Sequence, residues 1–178
     1  PAFFLSRAMK SGAGIDPQIT VKKPLEVLEA DAAKSDLVIV TSPLAETQIA
    51  FLKNWLTQNH ALLWVAVPNE NGAAFAKFAG LEGLAFTEAK GSYAMLGEIY
   101  FEHPLMKPFA ESNVRDFSKI RFWRHRVASL PDKSRLREIA SFDDGSPAIT
   151  ETMIGKGRAI LFTSGWTAEE SQLGVSSK

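Results

Sequence analysis

The sequence of 178 residues predicts an α/β fold whose sheet is parallel in the N-terminal half and antiparallel in the C-terminal half. Two continuous apolar runs, DLVIVT (36–41) and ALLWVAV (61–67), are typical of parallel strands that are buried on both faces. Each run is followed by a segment with helical periodicity, whereas the second half contains short strand-like segments between turns. We therefore predict a three-layer arrangement, with helices on both sides of one sheet.

The N-terminal elements follow from local patterns. Residues 2–10 place apolar side chains on one stripe and predict a helix, and the alternating segment 18–23 predicts a short edge strand. Ser42 and Pro43 are suitable as the N-cap and first residue of a helix that ends near Asn59. One side of this helix carries its apolar residues Ile49, Leu52, Trp55 and Leu56.

The remaining elements follow the second buried run. Asn71 is suitable as the N-cap of a helix that Gly80 ends, and residues 168–177 predict a last helix. The turn at residues 155–157 between two alternating segments is the clearest hairpin signal in the chain. The segments predicted as strands in this half are 84–89, 93–101, 118–129, 135–143, 147–154 and 158–164.

Composition limits the possible functions. The chain has 20 basic and 20 acidic residues, so no overall charge steers it toward nucleic acid, and we expect no nucleic-acid partner. The absence of cysteine excludes disulfides, thiolate nucleophiles and cysteine metal sites. We expect one domain over residues 1–178. Because the chain opens directly on core-type residues, we expect it to be a piece of a longer protein whose first strand lies upstream.

The bend after the second buried run is the first candidate site, because ligands of open α/β sheets lie beyond the carboxyl ends of the strands. The residues that could face a ligand there are Asn69, Glu70 and Asn71. The bend has only one glycine and lacks the lysine of a phosphate loop, and it has no serine or cysteine for a nucleophile elbow. Two interpretations stay open: a weak site for a small ligand, and an ordinary capped turn.

Other residues capable of chemistry are scattered. Ser164 follows an apolar strand, but the glycine of a nucleophile elbow is missing before it and no histidine follows it. A hydrolase would use Ser164 or a carboxylate pair such as Asp143 and Asp144. The three histidines are too far apart in sequence to indicate a metal site, so we expect neither metal nor cofactor.

A basic segment extends from Arg115 to Arg137, with eight basic and two acidic residues. Aromatic residues lie among them, a composition that also occurs in nucleic-acid platforms. Because the segment is predicted to be a strand pair, half of its charges should face solvent and cover apolar neighbours. We consider a solvated or interdomain face, and alternatively a face for an anionic partner formed by Arg121, Arg124 and Arg126.

Three segments carry a family resemblance. The segment DLVIVTSPLAETQIAFLKNWLTQNHALLWVAV resembles the second strand, helix and third strand of class I glutamine amidotransferase-like domains, which have a flavodoxin-like three-layer fold. The segments HPLMKPFAESNVRDFSKIRFWRHR and FDDGSPAITETMIGKGRAILFTSGWTAEESQLGVSSK resemble a group of bacterial membrane-anchored proteins with a BatA-like, aerotolerance-regulator-type N-terminus. The resemblance covers most of the chain and rests on packing and turn motifs.

The resemblance implies a fold without its catalytic group. Active amidotransferases carry a cysteine at the elbow after the third strand, and the corresponding bend, Pro68 to Gly72, has none. We therefore expect a non-catalytic scaffold or interaction domain of a membrane-anchored bacterial protein. The resemblance places it on the extracytoplasmic side, with the cytoplasm as the alternative. Its partners would be proteins or other domains of the same chain, with membrane contact only through segments outside this sequence. The alternatives are a small-ligand sensor and a hydrolase.

Overall fold

The computed structural model describes residues 17–70, 72–110, 119–132 and 135–174, and these form a mixed α/β fold. Six strands form one sheet in the order β1-β2-β8-β7-β6-β4, and β3 and β5 form a separate antiparallel pair. The strands are β1 (Leu37–Val40), β2 (Ala61–Val65), β3 (Ala85–Glu88), β4 (Leu96–Ile99), β5 (Arg126–Ser129), β6 (Arg137–Phe142), β7 (Pro147–Ile154) and β8 (Gly157–Phe162).

The direction of the strands changes within the main sheet. Strands β1, β2 and β8 are mutually parallel, whereas β8, β7, β6 and β4 pair in antiparallel fashion. The prediction of a parallel N-terminal part extended by antiparallel strands is therefore confirmed. The predicted hairpin is also confirmed, because β7 and β8 are joined at Ile154 and Gly157, and Gly155 adopts a φ of 61°.

Three α-helices occur in the described residues: α1 (Glu29–Ala32), α2 (Glu46–Leu56) and α3 (Ala73–Ala79). Helix α2 begins at Glu46, not at Pro43, because the side chain of Gln48 accepts a hydrogen bond from the backbone N–H of Ala45 and caps the helix there. Helix α3 ends at Gly80 as predicted, with a φ of 65°. None of the helices in the described ranges is long and apolar enough to cross a membrane.

The main sheet has a separate apolar core on each face. Alternate residues of β2 divide between them: Leu62 and Trp64 pack with α2 and α3, while Leu63 and Val65 belong to the opposite cluster. The helices of the described residues contribute to the first core, and the second core is completed from outside the sheet by non-helical residues such as Trp166.

Several predicted elements are absent or shorter. Residues 18–23 form no strand; the ammonium group of Lys22 instead binds the carboxylate of Asp31 at 2.7 Å. Residues 168–174 form turns, not the predicted helix, because their backbone groups pair with a distant segment: Trp123 N–H donates to the Glu170 carbonyl and Gln172 N–H donates to the Arg121 carbonyl. The predicted helix at 2–10 lies outside the described residues.

Candidate functional site

The bend after β2 lies at the carboxyl edge of the parallel strands, where the sequence predicts a site. Backbone pairing with β8 continues one residue into it, since Ala66 N–H donates to the Phe162 carbonyl at 2.9 Å. The chain then turns through Asn69, whose φ of 62° is unusual for a residue other than glycine. The short β3–β5 pair reaches the same edge, because Asn69 N–H donates to Oε1 of Glu88, at the end of β3, at 2.8 Å.

The centre of this edge is occupied by Arg126, the first residue of β5, whose side chain is completely buried. Its Nε donates to Oε1 of Glu88 at 3.3 Å, and its Nη1 donates to Oε1 of Glu170. Its backbone N–H donates to the carbonyl of Thr163, the residue after β8, at 2.7 Å. Only Nη2 has no hydrogen-bond partner within the part of the chain that the structure describes.

Glu70 completes this group from the side of the bend. Its Oε2 accepts from the N–H of Val67 at 3.0 Å, and its Oε1 accepts from the indole Nε1 of Trp64 at 3.3 Å. Burial raises the pKa of the Glu70 carboxyl, although these two hydrogen bonds and the charge of Arg126 act in the opposite direction. We call Arg126 and the three carboxylates of Glu70, Glu88 and Glu170 the carboxyl-edge cluster.

The side chains of the carboxyl-edge cluster make their hydrogen bonds to other parts of the chain. Of the three residues predicted for the bend, Glu70 binds within its own turn and Asn69 contributes a backbone hydrogen bond, while its side chain is exposed. Asn71 lies outside the described residues. The N-cap position of α3 is occupied by Gly72, with a φ of 82°, not by Asn71 as predicted.

The three arginines predicted as one anionic-partner face are separated by the structure. Arg126 is buried, so the prediction that it faces a partner is wrong. Arg124 is partly exposed and lies 3.9 Å from the carboxylate of Glu88. Arg121 places its guanidinium carbon 4.9 Å from the ring centre of Tyr93. The physical reason is that most of 119–125 is irregular, so the side-chain alternation expected of a long strand does not hold there.

The region around Ser164 brings together the residue types of a hydrolase. Ser164 forms a β-bridge with His125, and the Nε2 of His125 lies 2.8 Å from Oδ2 of Asp144. However, Ser164 is completely buried and its hydroxyl donates to the carbonyl of Arg124 at 2.6 Å. The hydroxyl is therefore committed to the main chain and is not paired with an imidazole base in this structure.

The two aspartates proposed as a carboxylate pair stabilise a turn. Asp143 accepts a hydrogen bond from Met95 N–H at 3.1 Å. Asp144 accepts from both the N–H and the hydroxyl of Ser146, at 2.9 and 2.6 Å. Partial burial would raise the pKa of Asp144, but the hydrogen bonds from Ser146 and His125 outweigh it and lower this pKa below its usual value.

Metal ligands are not grouped in the described ranges, where no three histidine, aspartate or glutamate side chains are arranged to hold an ion. His103 is instead buried against a carboxylate, with its Nε2 3.4 Å from Oε2 of Glu151. Sequence reasoning missed this pair and also missed Glu88 and Glu170, which lie 38 and 44 residues from Arg126 along the chain. No local pattern marks contacts over such distances.

Comparison with known proteins identifies the fold but no family. No family model and no curated protein matches the sequence. The structure is similar to the cytoplasmic protein STM1381 from Salmonella typhimurium LT2, with a TM-score of 0.68 and 12% identity over 99% of this chain and 81% of that chain. It is also similar to the cytoplasmic protein STM3548 from Salmonella typhimurium, with a TM-score of 0.66 and 12% identity over 94% and 76% of the two chains.

A third similar structure is part of a much larger protein, the exo-beta-1,4-mannosidase Op5Man5 from Opitutaceae bacterium strain TAV5. The TM-score is 0.50 and the identity 15%, over 74% of this chain and 21% of that one. At these identities the likenesses show the fold, and no activity or substrate of those proteins is transferred to this chain. They also correct one expectation: both Salmonella proteins are named as cytoplasmic, which contradicts the prediction of an extracytoplasmic domain in a membrane-associated protein.

Proposed function

We propose that this domain is non-catalytic and acts by binding other proteins or other domains of its own chain. The observation that carries the proposal is the burial of Arg126 at the carboxyl edge of the parallel strands. This is the edge at which open α/β sheets hold their ligands. Here the guanidinium group and the carboxylates of Glu88 and Glu170 occupy it.

The chemistry of the carboxyl-edge cluster favours a structural role. A buried charge is costly unless partners surround it, and Arg126 is bound on two of its three guanidinium nitrogens. Catalytic groups, in contrast, need a face open to substrate. Glu70 bonds to its own turn and Ser164 to a carbonyl, so neither presents a free reactive atom.

We also propose that the domain is a degenerate form of the flavodoxin-like, class I glutamine amidotransferase-like fold. Support comes from the three parallel strands β1, β2 and β8, from helices α2 and α3 packed on one face, and from a bend after β2 that has no cysteine. The finer feature of that fold, a helical layer on the second face, is a proposal that an experimental structure including residues 1–16 would test.

The surface that we propose for a partner is the aromatic patch, formed by Tyr93, Arg121 and Trp123. Tyr93 is 44% exposed, and its ring meets that of Trp123 edge-on at 6.1 Å. Tyrosine, tryptophan and arginine are the residues most enriched at the energetic centres of protein interfaces. Because Arg121 adds positive charge to this patch, the proposed partner is a protein with an acidic surface.

The non-catalytic half of the proposal is tested with the purified chain on glutamine and on a panel of p-nitrophenyl esters. We expect no turnover above that of the Ser164→Ala and His125→Gln variants. The specific alternative is a hydrolase in which Ser164, His125 and Asp144 rearrange on substrate binding, and the contacts among them favour it over other reactions. Ester turnover that is lost in both variants, with circular dichroism unchanged, would establish that alternative.

The binding half is tested by nuclear magnetic resonance with polyglutamate and polylysine as probes of opposite charge. We expect polyglutamate to shift the indole resonance of Trp123, assigned with the Trp123→Phe variant, and polylysine to leave it unchanged. The Arg121→Gln variant should reduce the shift. Equal responses to both polymers, or shifts that do not include Trp123, would overturn the assignment of this surface.

A further inference from the structure

A cluster of arginines lies at the opposite edge of the main sheet from the carboxyl-edge cluster. An open cleft of about 490 Å³ is present where β6 and β8 begin and β7 ends. Three arginines from different positions converge on it, together with one carboxylate. We call this the arginine cleft, and its lining residues are Arg135, Arg137, Glu151, Thr152, Met153 and Arg158.

The single carboxylate of the arginine cleft is already paired with one of the three arginines. Oε1 of Glu151 accepts from Nη1 of Arg158 at 3.1 Å, and Oε2 lies 3.4 Å from Nε2 of the buried His103. The N–H of Leu105 donates to Nδ1 of that ring at 3.3 Å, so in the neutral form the proton is on Nε2, facing Glu151. Glu151 is therefore not free to neutralise the other arginines.

Among the described residues, Arg137 has no counter-charge. It is exposed, and within the described ranges no carboxylate lies within ion-pair distance of its guanidinium group, although Glu151 faces it on the neighbouring strand β7. Arg135 is likewise without an ion pair to a described residue; one of its nitrogens donates to the carbonyl of Gly80. The cleft therefore has an excess of positive charge.

The arginines are also positioned for a ligand. Contacts to Gly80 and Glu151 fix the directions of Arg135 and Arg158, and each guanidinium group has further N–H donors that these contacts do not use. Fixed, planar donors suit the oxygen pairs of phosphate and carboxylate groups. Met153, which is 51% exposed, adds an apolar wall. A volume near 490 Å³ lies within the range of small-molecule sites.

We propose that the arginine cleft binds a small organic anion that carries a phosphate or carboxylate group. Arg137 and Arg158 contact the anionic group, Arg135 contributes from the rim, and Met153 packs against the apolar part of the ligand. The cleft and the aromatic patch share no residue, so this binding goes beyond the proposed function and does not depend on it.

The test is calorimetric titration of the intact chain with pyrophosphate and, separately, with citrate. At about 50 mM salt, where charges are weakly screened, we expect saturable binding with a Kd of about 1 mM or tighter for at least one probe. Binding of pyrophosphate alone identifies a phosphate site, binding of citrate alone a carboxylate site, and binding of both a general anion site. Failure of both probes to saturate would overturn the proposal.

Arg137→Gln is the informative variant, because Arg137 is exposed and makes no ion pair with the residues that the structure describes. We expect it to weaken binding by about tenfold or more, equivalent to about 1.4 kcal/mol. Lys90→Gln removes one positive charge from an exposed position outside both the arginine cleft and the aromatic patch, and should change Kd by less than about twofold. Equal weakening in both variants would show attraction by overall charge and would overturn the proposal.

Backbone amide shifts in β7 and β8 locate the bound probe independently. Shifts centred on Arg121 and Arg124 would also overturn the proposal.

Discussion

The two edges of the main sheet distribute charge in opposite ways. At the carboxyl edge, one arginine is buried among three carboxylates, two of which bind it directly. At the other edge, three arginines surround one carboxylate, which is bound by Arg158 and lies 3.4 Å from the ring of His103. The first arrangement is closed and internally paired, whereas the second is open to solvent and carries positive charge that no carboxylate of the described residues pairs.

This difference shows that arginine content does not by itself indicate a binding face. Arg126 and Arg137 belong to the same basic segment of the sequence, yet one is 0% exposed and the other lies on the surface. Removing the partner of a buried charge has a large cost, while an exposed charge is well solvated and contributes little to stability. Substitutions at the two edges should therefore separate stability from binding.

The largest effect is expected for Arg126→Met, which keeps an unbranched side chain but removes the charge. Glu88 and Glu170 would lose their common partner, and we expect a loss of about 3–5 kcal/mol in the free energy of unfolding. Urea denaturation followed by circular dichroism measures it. Arg124→Met, at a partly exposed position beside the same Glu88, is the control and should cost less than about 1 kcal/mol. Similar losses in the two variants would contradict the distinction.

A smaller effect is expected for Gly165→Ala. A Cβ atom at this position would collide with Oε2 of Glu170, so the carboxylate that binds Arg126 would have to move. We expect a loss of about 1–3 kcal/mol. In a Glu170→Ala background, the same substitution should lower the free energy of unfolding by less, because the obstructing carboxylate is gone. Strict additivity of the two substitutions would show that Gly165 acts on something other than Glu170.

The carboxyl-edge cluster also predicts a pH dependence. Because the pKa of Glu70 is raised by burial in the folded state, the folded chain binds this proton more tightly than the unfolded chain does. Its contribution to stability is fully present below the unfolded pKa and is lost as pH rises through the folded pKa. As pH rises from the unfolded to the folded pKa of Glu70, the native chain should therefore lose melting temperature relative to the Glu70→Gln variant. A difference independent of pH would contradict the raised pKa.

The smallest effect on stability is expected for Arg137→Gln. This arginine is exposed and without an ion pair among the described residues, so the free energy of unfolding should change by less than about 0.5 kcal/mol. Measuring the free energy of unfolding of this variant and of Arg126→Met under the same denaturant conditions compares the two edges directly. A loss above about 2 kcal/mol would mean that Arg137 holds the fold together and is not a free binding group.

Local patterns were sufficient for much of the fold. The apolar runs predicted β1 and β2, helical periodicity predicted α2 and α3, and the turn at Gly155 predicted the β7–β8 hairpin; all are present in the structure. Each of these signals lies within about a dozen neighbouring residues. The patterns failed where distant segments compete for the backbone, as at residues 168–174, whose hydrogen bonds go to residues 121 and 123 and not along a helix.

The candidate sites depend on contacts between residues that are far apart in the sequence. The sequence predicted a site at the carboxyl edge, because two buried runs end there, but it could not show that Arg126 fills that edge. Nor could it assign Arg121, Arg124 and Arg126 to three different surroundings, since the alternation of a regular strand was assumed where most of the chain is irregular. The arginine cleft was not visible, because it combines Arg135 and Arg137 with residues of β7 and β8.

The sequence by itself determined which segments are apolar enough to become strands and helices, where turns interrupt them, and that no thiol chemistry is available. Only the tertiary structure decided the strand order, the pairing of Arg126 with carboxylates 38 and 44 residues away, and the exposure of Arg137. The reason is physical: hydrophobic periodicity acts between near neighbours, whereas the energy of a charge depends on its burial and on which opposite charges the whole fold brings beside it.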